Sequence, residues 1–69
     1  MSLLEVDDQV AFLRSEWNPR GWAVWAQYRP GAEVMFCARH LPTMPAGHQL
    51  AAATALALNM GIAHAAHGG

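Results

Sequence analysis

Three sequence patterns predict a single small α+β domain over residues 1–69, with the order helix, strand, strand, helix. Apolar residues recur every three or four positions over residues 3–17. Two alternating runs of aromatic and β-branched residues flank Pro30-Gly31, and residues 48–69 contain no Lys, Arg, Asp or Glu. A period near 3.6 indicates a helix and a period of two indicates a strand, so the fold class is an amphipathic helix, a two-stranded antiparallel hairpin and a long apolar helix.

The first helix is predicted over residues 3–17. Its apolar stripe consists of Leu3, Val6, Val10, Leu13 and Trp17. Ser2 and Glu5 have the spacing of a capping box, in which each side chain bonds the backbone N–H of the other residue. Pro19 disfavours helical backbone at Asn18, and Gly21 permits a positive φ, so the helix is expected to end there.

Residues 22–29 and 32–39 are predicted to form the two strands of the hairpin. Alternate side chains of a strand point to opposite faces of a sheet. The even-numbered strand residues Trp22, Val24, Ala26 and Tyr28 are predicted to face the helices. The odd-numbered strand residues are predicted to lie on the opposite face, and they include Trp25, Gln27, Arg29, Met35 and Arg39. Glu33 and Arg29 are expected to pair near the turn.

The second helix is predicted over residues 46–65, with Pro45 at its start. Its large apolar residues are Leu50, Leu56, Leu58, Met60 and Ile62, and they project in several directions. A helix that is apolar all round belongs in a core or a membrane. One helix and one hairpin are too little material to enclose it, so these five residues are expected to mediate self-association, giving a homodimer. The alternative is a monomer with a partly exposed alanine-rich helix.

Charge and length disfavour two classes of function. Charged residues make up 13% of the chain and the formal net charge is −1, whereas nucleic-acid binding normally begins with a basic patch. A membrane span needs about 20 mainly apolar residues, and residues 50–63 are too short and contain Asn59 and Gly61. The single Cys37, with no export signal in the first residues, predicts a cytoplasmic protein.

Cys37 and His40 are the residues from which a metal or nucleophilic site would be built. Structural zinc takes four ligands, and the chain has no paired Cys-x-x-Cys. Cysteine catalysis also needs a base and an orienting group, which no motif supplies. No catalytic residue, cofactor or metal is therefore expected, and a small metal-binding protein is kept only as an alternative.

The favoured function is a non-enzymatic protein–protein interaction module. Tryptophan, tyrosine and arginine dominate binding hot spots, so the candidate docking residues are Trp25, Gln27, Arg29, Met35 and Arg39. The small size and the lack of a recognisable site are typical of a phage or mobile-element inhibitor that occludes a host protein. Two alternatives remain: a dimer in which Trp25 is ordinary core, and a nucleic-acid-binding dimer that uses Arg20, Arg29 and Arg39.

Overall fold

The chain folds into two helices and a three-stranded sheet, which confirms the α+β class. A computed structural model describes residues 3–28, 30–31, 33–45 and 47–68. The elements in chain order are helix α1 (Leu3–Trp17), strand β1 (Trp22–Gln27), strand β2 (Met35–His40), strand β3 (Leu50–Ala52) and helix α2 (Ala55–Gly68). A single 3₁₀ turn at Asn18–Arg20 connects α1 to β1.

Helix α1 has the predicted bounds, because its apolar stripe meets the core. The buried members of the stripe are Val6, Val10, Leu13 and Trp17. The 3₁₀ turn after α1 ends at Gly21, which has a φ of 89° and donates its backbone N–H to the carbonyl of Asn18 over 3.0 Å. Ser2, half of the predicted capping box, lies outside the described residues, and so does the side chain of Leu3.

The sheet has three antiparallel strands in the order β1-β2-β3. The predicted antiparallel pairing of the first two strands is confirmed, but the predicted number of two strands is wrong. The central strand pairs on both sides, with Ala38 opposite Val24 of β1 and opposite Leu50 of β3. The first two strands also differ in their bounds from the predicted 22–29 and 32–39, since the connection between them is longer. Arg29 and Ala32, which belonged to the predicted strands, lie outside the described residues.

The predicted helix over residues 46–65 is wrong in its first part, where residues 50–52 form β3. As a third strand, this segment forms hydrogen bonds with the backbone N–H and C=O groups on the side of β2 that faces away from β1. The helix starts only at Ala55, and the Thr54 hydroxyl accepts a hydrogen bond from the Ala57 backbone N–H at 3.1 Å. Threonine is a favoured residue at this capping position. Ala46, the predicted first residue, lies outside the described residues.

Both helices pack on the same face of the sheet. The buried core consists of Val6, Val10, Leu13, Trp17, Trp22, Val24, Phe36, Ala38, Leu58 and Ile62. Within this layer, the Trp17 indole N–H donates to the Asn59 side-chain oxygen at 2.8 Å and joins the two helices. The core residues of β1 and β2 are all even-numbered. Because side chains alternate along a strand, the odd-numbered residues of these strands face away from the helices.

The five residues predicted to mediate self-association have different environments. Leu58 and Ile62 are buried within the single chain, and Leu50 is half-buried in β3. Leu56 and Met60 are 70% and 64% exposed. One chain therefore encloses one side of α2 and leaves the other side to solvent. Among the described residues, no helix is both long enough and apolar enough to cross a membrane.

Candidate interaction surface

The sheet face turned away from the helices carries most of the predicted docking residues. We call this surface the open face; its described strand residues are Ala23, Trp25, Gln27, Met35, Cys37, Arg39 and Ala51. The strand register places Trp25 opposite Cys37, and Gln27 opposite Met35. Four of the five predicted docking residues thus share one face, and the fifth, Arg29, lies outside the described residues.

Cys37 is at the centre of the open face, yet its side chain is completely buried. It lies between Trp25 and Ala51 in the sheet register, and the Gln49 amide donates to its sulfur over 3.6 Å. Thiols buried among apolar groups are unreactive, because such surroundings disfavour the thiolate. Cys37 therefore acts as part of the packed floor of the open face.

His40 lies on the other face of the sheet, three positions along the same strand. Its ring packs 5.0 Å from the ring of Trp22, centroid to centroid, and its Nδ1 lies 2.7 Å from the Thr43 hydroxyl. The strand alternation therefore separates Cys37 and His40, which sequence spacing alone had suggested as a pair. In the described part of the chain, no three His, Cys, Asp or Glu side chains are grouped where they would hold a metal ion.

Trp25 and Met35 form the apolar part of the open face, and both are half-buried. Trp25 also reaches the outer edge of β1, where it lines a shallow depression of about 260 Å³ together with Arg14 and Tyr28. At this edge the Arg14 side chain donates to the Val24 carbonyl at 2.9 Å. Charged side chains at a strand edge discourage another strand from pairing there, and Arg14 already occupies the Val24 carbonyl of this edge.

Arg39 is the charged residue of the open face, and it is half-buried. It forms no ion pair with any described residue, since the ion pair found among them joins Arg20 to Glu16 at 3.9 Å. Arg20 lies on the helix side, with its guanidinium 5.2 Å from the ring centre of Trp17. The alternation of β2 puts Arg39 on the opposite side, so these two arginines do not contribute to one basic patch.

A cleft on the helix side is a second feature, which the sequence analysis missed. It has a volume of about 380 Å³ and lies where the C-terminal ends of α1 and α2 approach the end of β2. Its lining includes Trp17, Arg20, Trp22, His40, Thr43 and Met44. These residues come from α1, the 3₁₀ turn, β1, β2 and the turn after β2, and no spacing in the sequence indicates that they meet.

The molecule is thus a two-layer α+β domain, with one sheet face covered by helices and the other open. No protein-family model, curated protein or solved structure has significant similarity to this chain.

Proposed function

We propose that this protein is a non-enzymatic protein-binding module that docks its partner on the open face. The observation that carries the proposal is that Trp25 and Met35, both half-buried, share a face that neither helix covers with Arg39, which has no ion-pair partner among the described residues. Large aromatic residues and arginine contribute most to binding energy when a partner removes them from water.

The chemistry of the open face defines the kind of partner that fits. Arg39 supplies a positive charge with no ion-pair partner among the described residues, and Trp25 and Met35 supply apolar area. A matching surface has an acidic side chain next to an apolar patch, because a carboxylate accepts charge-assisted hydrogen bonds from a guanidinium. The narrower proposal is that the partner is a host protein, which a phage or mobile-element inhibitor of this kind would occlude.

Capture of a partner by the immobilised protein, followed by affinity measurement with the purified partner, tests this function. We expect Trp25→Ala and Arg39→Glu each to weaken binding at least about tenfold, the loss that corresponds to about 1.4 kcal/mol. Phe12→Ala is the matched control, since Phe12 is 66% exposed on α1, away from the open face. Circular dichroism verifies that each variant is folded.

Equal binding by wild type, Trp25→Ala and Arg39→Glu would contradict docking on the open face. Loss of binding in Phe12→Ala alone would move the interface to the helix layer. Retention on DNA that weakens as salt is raised, with no protein partner, would favour the nucleic-acid alternative, since counterion release gives that dependence.

We also propose self-association through the outer side of α2. Leu56 and Met60 support it, because large apolar side chains this exposed gain free energy when a second copy covers them. Sedimentation equilibrium over a dilution series tests it, with Leu56→Glu/Met60→Glu as the disrupting variant. We expect a concentration-dependent dimer that the double variant abolishes. A monomer at every concentration of wild type would refute this proposal without affecting the docking proposal.

A further inference from the structure

The cleft on the helix side has the composition of a small-molecule site. Ligand sites are concave and mainly apolar, have volumes of roughly 300–1,000 Å³ and contain a few convergent polar groups. The volume of about 380 Å³ is within this range. The indoles of Trp17 and Trp22 form its floor, since they line the cleft while being almost fully buried, and the exposed Arg20 and Thr43 lie at its rim.

The wall formed by His40 and Met44 is held in place by the turn that follows β2. The backbone N–H of Met44 donates to the His40 carbonyl at 2.9 Å, and the His40 N–H approaches the Met44 sulfur at 3.4 Å. The Leu41 N–H donates to the Gly21 carbonyl at 2.9 Å, which ties the turn to the start of β1. A preformed cleft binds with a smaller loss of conformational entropy.

Arg20 gives the cleft its charge preference. Its guanidinium lies over the Trp17 ring, at 5.2 Å from the centroid. Its contact with Glu16, at 3.9 Å, is too long for a hydrogen bond, and both side chains are more than half exposed. Such a pair contributes little, so the guanidinium N–H groups are available to a ligand anion.

We infer that this cleft binds a small planar aromatic molecule with one carboxylate. The aromatic ring would enter the cleft against the exposed edges of the Trp17 and Trp22 indoles. The carboxylate would accept hydrogen bonds from Arg20 at the rim. Planar rings pack favourably on aromatic side chains, and the guanidinium fork matches a carboxylate. This inference is independent of the proposed docking function, because the cleft and the open face are on opposite sides of the sheet.

Titration of ¹⁵N-labelled protein with 2-naphthoate, followed through the three tryptophan indole N–H signals, tests the inference. We expect saturable shifts of the Trp17 and Trp22 signals, while the Trp25 signal from the open face stays in place. The neutral analogue 2-naphthalenemethanol should bind about tenfold more weakly, because it lacks the charge-assisted bonds to Arg20.

Two variants at the rim of the cleft distinguish recognition of the carboxylate from nonspecific apolar binding. Arg20→Gln should weaken 2-naphthoate binding about tenfold, and Glu16→Gln should leave it unchanged or strengthen it a few-fold by removing the competing carboxylate. The absence of saturable shifts, equal movement of the Trp25 signal, or equal affinity of Arg20→Gln or the neutral analogue would each overturn the inference. Both substituted side chains are exposed, so the fold is expected to survive.

Discussion

The substitution Asn59→Ala tests whether the hydrogen bond between Trp17 and Asn59 holds the two helices together. In the wild type the Trp17 indole nitrogen lies 2.8 Å from the Asn59 side-chain oxygen, and Trp17 is only 5% exposed. Asn59→Ala removes this acceptor and leaves the buried indole N–H without a partner. An unsatisfied buried donor costs about 1–3 kcal/mol, whereas alanine is a better helix former than asparagine by roughly 0.6 kcal/mol. We therefore expect a net loss of about 1 kcal/mol in the free energy of unfolding, with a melting temperature lowered by about 4–8 °C.

Urea and thermal unfolding measure this change, and the Trp17 indole proton resonance reports the bond directly. Asn59→Asp is the matched control, because it keeps an oxygen acceptor at the same position. In a Trp17→Phe background, which has no indole N–H, Asn59→Ala should be neutral or slightly stabilising through helix propensity. Asn59→Ala with unchanged stability in the wild-type background would refute the assignment of this bond as the link between the helices.

Four further substitutions test the core, the turns and helix α2, each by urea unfolding. Phe36→Ala should cost about 3–5 kcal/mol, because Phe36 is fully buried, and a change below 1 kcal/mol would contradict its central position. Gly21→Ala and Gly47→Ala each place alanine at a φ of +89°, at a cost of about 1–2 kcal/mol. Gly21→Ala should cost more, since its Cβ would lie 3.3 Å from the Pro42 side chain whereas that of Gly47 meets no atom within 4 Å; equal costs would argue against this contact. Gly61→Ala should stabilise α2 by about 0.5–1 kcal/mol, because its Cβ meets open space, and destabilisation would indicate that another backbone packs there.

The sequence by itself determined the first helix and the alternation of the first strands. The stripe from Val6 to Trp17 repeats at the helical period, and the Pro19 and Gly21 stop signals act on the local backbone. Alternation likewise assigned Trp25 and Met35 to the face away from the helices. These features depend on neighbouring residues, so local spacing is sufficient to predict them.

Only the tertiary structure decided the role of Leu50–Ala52. Alanine and leucine favour helix intrinsically, but the free edge of β2 offers this segment backbone partners that a local pattern does not reveal. The capping signal of Thr54 was present in the sequence, yet the uncharged tract around it gave no period to fix the helix start. The cleft at Trp17, Trp22 and His40 also arises only on folding, because long-range packing brings its walls together from separate segments.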